Sequence, residues 1–415
     1  MNEIMKKVDP YASLRIGEFR KFLVVRFSII FALNMESVII GWKVYEITRD
    51  PLSLGLIGLA EFLPALSLAL FAGHLVDRQE KRNLMRKCVY GYLICCASFL
   101  LITSNFSLQY LSEQLVVNLM YITTFAGGII RAFSGPTTFS LFSLVVPKEL
   151  YPNASTWSSS SWQAGAVLGP LMGGLMYAWA GITITFTIVL LFLMIALFSL
   201  FTIRPKPVHY QPASEKIWSG LTEGIQFVFH SKEILSTLSL DLFAVLFGGA
   251  VALLPIYADK ILHCGPEGLG VLRAAPAVGS CITLFMVAFI PLDKKPGLIL
   301  LGAIFGFGLS MIVFGISVNF YLSVFALFLS GLFDGVSVII RNTILQIKTP
   351  DRMRGRVAAV HSMFVGSSNE FGAFESGLTA KWMGTVPAVV FGGCMTLIVV
   401  LTTFFTTPSQ RNLEF

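Results

Sequence analysis

The sequence predicts an all-α membrane protein of twelve transmembrane helices, arranged as two six-helix halves of related sequence. Composition is the first observation: 55% of the 415 residues are hydrophobic, and the mean hydropathy is +0.76. This is more apolar surface than a water-soluble core can bury. The length of the apolar runs is the second observation, and an internal repeat is the third. Together they indicate helices that cross a bilayer.

Twelve apolar runs are long enough to cross the bilayer. A helix that rises about 1.5 Å per residue needs about 20 residues to span roughly 30 Å of hydrocarbon. Runs such as ITITFTIVLLFLMIALFSLF are continuously apolar and too long for the strands of a membrane barrel. The predicted spans are 22–46, 52–75, 84–104, 115–141, 154–180, 182–203, 234–259, 267–290, 297–317, 321–346, 357–382 and 384–405.

Basic residues indicate which side of the membrane each connection faces, because Lys and Arg are retained in the cytoplasm during insertion. The N-terminal segment and the second and sixth connections are rich in Lys and Arg, whereas the third connection, SNFSLQYLSEQ, has none. We therefore expect a multi-pass membrane protein with both termini in the cytoplasm. This topology explains the net charge of +7 without a nucleic-acid partner.

The chain repeats itself at two similar shifts. A shift of 203 residues aligns GIIRAFSGPTTFSLFSLVVPKE with GLFDGVSVIIRNTILQIKTPDR, which pairs Arg131 with Asp334. A shift of 212 residues aligns GLAEFLPAL with GVLRAAPAV, which pairs Pro64 with Pro276. We predict an N-terminal half at 1–203, a cytoplasmic linker with an interfacial helix at 204–233, and a C-terminal half at 234–415.

Three short motifs fall on these predicted helices. GHLVDRQEKR follows the second span, RAFSG lies in the fourth, and GAVLGPLMGG lies in the fifth. They resemble the loop 2–3, fourth-helix and fifth-helix motifs of the major facilitator superfamily, although Glu80 stands where the loop motif usually has glycine. FRKFLVVRFSI, LLPIYADKIL and TPDRMRGRVAAV most resemble the bacterial branch that holds enterobactin exporters and macrolide efflux proteins.

The resemblance implies export by alternating access, with the substrate held between the halves near mid-membrane. In the loop motif we expect a cytoplasmic latch, because a carboxylate at Asp77 can lie against the positive N-terminal end of a helix in the other half. A solvated basic turn that only sets topology is the alternative. The predicted latch residues are Gly73, Asp77, Arg78 and Arg82. A conformational role is expected for Gly165, Gly169, Pro170, Gly173 and Gly174, with ordinary close helix packing as the alternative.

Ionisable side chains in the middle of spans are candidate functional residues, because each is costly in hydrocarbon unless it faces a cavity or a partner. We predict that Glu36, Glu61 and Arg131 couple transport to protons, since an acid in a low-dielectric cavity holds its proton more tightly and a neighbouring guanidinium favours its release. An ion pair of Arg131 with Glu36 or Glu61 that only fixes helix register is the alternative. Arg341, near a span end, is interpreted as snorkelling. The predicted substrate-cavity residues are Asp334, Glu370, Asp241 and Arg273. A second proton site at Asp334 or Glu370 is the alternative.

Other function classes lack the residues that they need. The sequence shows no nucleophile–base spacing, no metal-ligand spacing among its six Cys and five His, and no glycine-rich nucleotide motif. We therefore predict no enzyme activity, no metal and no cofactor. The predicted function is proton-coupled export of a small amphipathic compound, siderophore- or drug-like, in contact with membrane lipids. An importer or facilitator with the same fold is the alternative.

Overall fold

The computed structural model describes residues 9–206, 217–287, 295–350 and 353–411, and all regular structure in these ranges is helical. The N-terminal region contains α1 (Gly17–Thr48), α2 (Pro51–Arg78), α3 (Lys81–Ile102), α4 (Glu113–Val145) and α5 (Tyr151–Thr202). A linker helix, α6 (Ile217–His230), follows. The C-terminal region contains α7 (Lys232–Gly248), α8 (Gly265–Val287), α9 (Pro296–Ile316), α10 (Phe320–Lys348), α11 (Arg354–Met383) and α12 (Thr385–Thr406).

The helices agree with the predicted spans. Among the residues that the structure describes, nine helical segments are long and apolar enough to cross a membrane. One of them contains α5, which is 52 residues long but non-helical at Gly181, with φ 78° and ψ 175°, and therefore supplies both the fifth and the sixth predicted spans. α8 and α11, with 23 and 30 residues, coincide with the eighth and eleventh predicted spans. The prediction of twelve transmembrane helices is thus confirmed.

The seventh predicted span differs from the prediction of one continuous apolar helix. After α7 the chain forms a 3-10 turn at Ala250–Leu253, a short α-turn at Leu254–Ile256 and a π-turn at Tyr257–Ile261. The break occurs where Gly249 meets α11, since a Cβ on Gly249 would come within 2.8 Å of the backbone of Gly372. The π-turn is fixed within its own half, because the Tyr257 hydroxyl donates a hydrogen bond of 2.9 Å to the Gly315 carbonyl.

The two sequence repeats make equivalent helix contacts. A Cβ on Gly128 of α4 would lie 2.7 Å from the ring of Pro64 in α2. Gly331 of α10, which the shift of 203 aligns with Gly128, would meet the backbone of Pro276 in α8 at 2.5 Å. The α2–α4 and α8–α10 pairs therefore pack through related sequences, which supports two pseudo-symmetric halves. The boundaries 1–203, 204–233 and 234–415 remain our proposal.

Connections alternate between two faces of the bundle, because consecutive spans run in opposite directions. We call the face with the α2–α3 connection, the start of α1 and the end of α12 the terminal face. The face with the α1–α2, α7–α8 and α11–α12 connections is the distal face. A buried apolar cluster near the distal face joins both halves, through Val38, Tyr45 and Leu54 on one side and Leu254 and Leu269 on the other. Apolar burial therefore holds the halves together at the distal face.

The linker helix α6 packs on the C-terminal half. Val228 is fully buried in a cluster with Ile234 and Val357. Glu223 forms an ion pair with Arg356 of α11. Before this helix, the chain is attached to the N-terminal half, since Lys206 forms an ion pair with Glu18 of α1.

Candidate transport site

A charge bridge at mid-membrane joins the two halves. Nη1 of Arg131 in α4 lies 2.8 Å from Oε1 of Glu61 in α2 and 3.2 Å from Oε1 of Glu370 in α11. About half of the Arg131 side chain, 53%, is exposed, whereas that of Glu370 is 18% exposed. A guanidinium exposed to hydrocarbon would be very costly, so the exposed part of Arg131 faces a cavity between the halves.

Glycines allow the three helices of this bridge to approach one another. Gly128, one turn before Arg131, lies against the backbone of α2 at Glu61, where a side chain would collide with the Glu61 carbonyl. Gly58 leaves room for Glu370, whose Oε2 would be 3.1 Å from a Cβ at that position. These small residues place the guanidinium between two carboxylates that come from different halves.

Glu36 makes no direct contact with the bridge, although its charge is close enough to that of Glu61 to interact with it. Its side chain is buried beside Cys96 of α3, and its Oε2 has no hydrogen-bond partner among the described residues. Of the three residues predicted to couple protons, the structure therefore brings together Glu61 and Arg131 but not Glu36. The third group at the bridge is Glu370, which we had predicted as a substrate residue, with a second proton site as the alternative. Of the two ion pairs considered for Arg131, only the one with Glu61 is formed.

The C-terminal half carries the same pair of positions with the charges exchanged. The shift of 212 that pairs Pro64 with Pro276 also pairs Glu61 with Arg273, and the shift of 203 pairs Arg131 with Asp334. Arg273 is close enough to Glu61 and Glu370 to interact with both charges. Two guanidiniums and two carboxylates thus lie near one another between the halves, without a large net charge.

Asp334 belongs to a second polar cluster behind this cavity. Together with Asp241 of α7 and Ser337, it lines a small cavity of about 10 Å³. Asp241 forms an ion pair with Arg341, and both side chains are almost completely buried, at 7% and 4% exposed. The prediction that Arg341 snorkels was therefore wrong, because this residue lies on the face of α10 that packs against α7 and its charge is matched there. Asp241 faces Arg341, away from the central bridge.

Two ion pairs join the halves on the distal face. Nη1 of Arg49 lies 2.5 Å from Oδ2 of Asp259, and Nζ of Lys381 lies 3.4 Å from Oδ2 of Asp50. The neighbouring residues Arg49 and Asp50 thus bind opposite charges from the other half. The Tyr45 hydroxyl also lies within 3.4 Å of Asp259. Each charge thus has a partner of opposite sign in the other half, and the two pairs favour one relative position of the halves.

Backbone contacts without intervening side chains seal the same face. In α5 and α8, a Cβ on Gly174 would come within 2.8 Å of Gly270. In α2 and α11, a Cβ on Gly55 would come within 3.0 Å of the backbone of Ala373, and one on Gly377 within 3.0 Å of Pro51. We call these two helix contacts, α5–α8 and α2–α11, the distal seam.

The fifth-helix motif divides between two roles. Gly165, Gly169 and Gly173 face α1 of their own half, where their Cβ atoms would meet atoms of that helix at 2.8 to 3.0 Å. Gly174 faces α8 across the seam, and the carbonyl of Pro170 lies 2.8 Å from the place of a Cβ on Gly270. Both interpretations of the motif therefore apply, but to different residues. Gly165, Gly169 and Gly173 allow close helix packing within the N-terminal half, whereas Pro170 and Gly174 contact the C-terminal half.

The predicted latch is only partly covered by the described residues. Gly73 and Asp77 belong to α2, but the side chain of Asp77 and the surroundings of Gly73 are not described, and Asp351 lies outside the described ranges. Arg82 donates a hydrogen bond of 2.8 Å to the Ile203 carbonyl, within its own half. The inter-half contacts given above lie at mid-membrane or on the distal face. The cavity around Arg131 is therefore closed on its distal side.

Comparisons with known proteins agree with this architecture. A sequence model of the transmembrane secretion effector family matches residues 8–413. The chain belongs to that family. It is 24% identical over 389 residues to the enterobactin exporter EntS of Shigella flexneri, covering 92% of this chain and 89% of the relative. The enterobactin exporter EntS of Escherichia coli O1:K1 / APEC is 23% identical over 389 residues, with the same coverage.

Solved transporter structures have the same fold. The nucleoside transporter NupG superposes with a TM-score of 0.74 at 11% identity, over 94% of this chain and 100% of that one. A D-xylose–proton symporter gives 0.72 at 12% identity, over 96% and 99%. A bacterial homologue of the human lysosomal transporter Spinster, inward-facing and occupied, gives 0.69 at 15%, over 97% and 98%. This family member is therefore a multi-pass transporter of the major facilitator superfamily.

The sequence analysis missed the residues of the distal face. Arg49, Asp50 and Asp259 were not singled out, and Gly270 and Gly377 were not recognised as contact positions. A signal was present, because Arg49 and Asp50 stand side by side in the short connection between two spans. This signal is not specific, because Asp50 is also the N-cap of α2, where its side chain accepts a hydrogen bond from the Leu52 N–H.

Proposed function

We propose that this transporter is a proton-coupled exporter of a small amphipathic compound across the bacterial inner membrane. The observation that supports it is the bridge of Arg131 to Glu61 and Glu370. Opening the distal seam moves α11 away from α4, so Glu370 loses its contact with Arg131. A carboxylate that loses a cationic partner in a low-dielectric cavity gains affinity for a proton. A proton would thus bind when the cavity opens outward and leave when the bridge forms again.

The direction of proton flow follows from this cycle. If the distal face is external, protons enter the bridge from outside and are released in the conformation described here. Substrate that moves in the direction opposite to the protons leaves the cell, which is export. Asp77 and Arg78 would then close the terminal face in the outward-open conformation, as the loop motif leads us to expect.

The substrate class is proposed from the relatives and from the cavity. The relatives are enterobactin exporters by name, and the guanidiniums and carboxylates of the cavity suit a compound with polar and apolar parts. Thermal-shift measurements with enterobactin and with a macrolide test this, because a ligand at about 100 times its Kd stabilises the native state by roughly 2.7 kcal/mol. No shift with either compound would contradict the proposed class.

Transport in inverted vesicles separates the export proposal from the alternatives. An exporter should concentrate the stabilising compound inside inverted vesicles when the lumen is acidified. An importer should concentrate it only in right-side-out vesicles with acid outside. A facilitator should equilibrate it in both preparations without a response to the pH gradient.

Cysteine labelling tests the orientation. In a variant that retains only Cys264, which lies in the α7–α8 connection and is partly exposed, an impermeant maleimide should label intact cells. The control is Glu149→Cys in a background without other Cys, because Glu149 is exposed on the terminal face. It should react only after permeabilisation. The opposite pattern would reverse the topology.

The distal ion pairs should contribute to closure of the distal face. We expect Arg49→Asp to lower the ratio of closed to open molecules by about fivefold, since partly exposed pairs contribute up to about 1 kcal/mol and the reversal adds repulsion. Spin labels at Gln114 and Val318, exposed distal positions of the two halves, report the separation. The double variant Arg49→Asp/Asp259→Arg should restore the closed distance. If it remains open, the pair does not act as a gate.

A further inference from the structure

A groove runs along the side of the bundle next to the distal seam. Its volume is about 360 Å³, which is at the lower end of the range of ligand-binding sites in proteins. The Tyr321 hydroxyl is the one polar side-chain group among the residues that line it, and the rest are Val, Leu, Ala and Phe. The walls include Val167 and Leu171 of α5, Val271 and Val278 of α8, and Tyr321 and Phe328 of α10.

The groove opens sideways, toward the surroundings of the bundle. Tyr321 is 81% exposed and Phe325 is 55% exposed, although both lie near the distal end of α10, where the seam closes the central cavity. Val278 on the opposite wall is 36% exposed. Side chains with this exposure at the closed end cannot face the sealed cavity, so they face the membrane.

The depth of the groove corresponds to one leaflet. Tyr321 is the second residue of α10, and Phe328 lies seven residues further along the helix. Val278 lies thirteen residues into α8, which is about 20 Å from its distal end at about 1.5 Å per residue. Half of the roughly 30 Å of hydrocarbon in a bilayer is about 15 Å. Tyr321 lies at the end where aromatic residues of membrane proteins meet the lipid headgroups.

We propose that this groove binds an acyl chain of a phospholipid from the distal leaflet, with the headgroup beside Tyr321. At this depth the surroundings are hydrocarbon, and an apolar groove that offers a polar group only at its headgroup end matches the polarity of a single lipid. The chain would touch both halves, because Val167 and Leu171 belong to the N-terminal half and the other wall residues to the C-terminal half. The site exists in this form only while the distal seam is closed.

Photo-crosslinking of the full chain in nanodiscs tests the site. The probe is phosphatidylethanolamine with a diazirine in the middle of one acyl chain, and mass spectrometry locates the labelled residues. We expect label to concentrate on segments 167–171, 271–278 and 321–328. Val278→Phe should lower this label by roughly fourfold or more, the effect of keeping one methylene out of a binding groove. If Val278→Phe does not fold, Val271→Phe should lower the label in the same way, because Val271 also lines the groove.

The matched control is Val313→Phe in α9, because Val313 is 38% exposed, close to the 36% of Val278, and does not line the groove. It should leave the label at the groove unchanged. Label spread evenly around the bundle, or unaffected by the Val278 and Val271 variants, would overturn the proposal. Displacement of the labelled lipid by enterobactin or a macrolide would also overturn it, and would make the groove an entry site for substrate.

Discussion

Glu61→Gln should abolish accumulation driven by a pH gradient while downhill exchange of substrate continues. Gln keeps the size of the side chain but cannot bind and release a proton, and it leaves Arg131 with Glu370 as its carboxylate partner. Accumulation in proteoliposomes should therefore fall to the level seen with a protonophore. Exchange requires the change of access but no net proton movement, so it should remain within about twofold of the unchanged protein, since the substitution is nearly isosteric.

Glu36→Gln is the matched control for this variant. It is the same substitution in a neighbouring span, but Glu36 is buried beside Cys96 and forms no ion pair with Arg131, although its charge interacts with that of Glu61. We expect driven accumulation to persist, because the bridge is unchanged. If Glu36→Gln abolishes driven accumulation and Glu61→Gln does not, the coupling acid is Glu36 and the bridge only fixes the helices. Glu370→Gln should behave like Glu61→Gln, because it removes the contact that joins the halves.

Gly174→Ala should hold the distal seam open and stop transport in a protein that still folds. A Cβ there would lie within 2.8 Å of Gly270 in the other half, and overpacking of this kind costs about 1–3 kcal/mol. A change of that size shifts a two-state equilibrium by roughly 5- to 150-fold. The spin labels at Gln114 and Val318 should report the longer distance. Folding should persist, because the contact lies between the halves.

Gly127→Ala and Gly302→Ala are the controls for the seam. Both replace a glycine within a span, in α4 and α9, and neither Cβ would have an atom within 4 Å outside its own helix. Ala is the better helix former by about 1 kcal/mol, so these variants should be as stable as the unchanged protein or slightly more stable. They should transport normally. Equal loss in the controls and in Gly174→Ala would show that the effect comes from helix rigidity and not from the seam.

Features that depend on local sequence could be predicted. The length of the apolar runs located the spans. The repeat paired Gly128 with Gly331 as equivalent positions, and in the structure each of them contacts an equivalent proline, Pro64 or Pro276. The depth of a residue in the membrane follows from its position in a span, and so Arg131 and Glu370 were expected near the middle.

Contacts that depend on rotation of a helix could not be predicted. Glu36 and Glu61 occupy similar depths, but only Glu61 faces Arg131, and the sequence does not say which way each side chain points. The pairing of Arg131 with Glu370 also depends on how the two halves meet. Arg341 was misread for the same reason, since its distance from the span end did not reveal Asp241 beside it.

The π-turn at Tyr257–Ile261 determines how much conformational entropy is lost when the distal face closes. Ordering a residue of a free loop costs about 1–2 kcal/mol of backbone entropy. This turn is ordered by contacts within its own half, through the hydrogen bond of Tyr257 to Gly315, and it carries Asp259 to Arg49. Closure then requires two rigid bodies to meet, with no loop to be ordered at that moment. Fewer favourable contacts between the halves are therefore needed to keep the distal face closed.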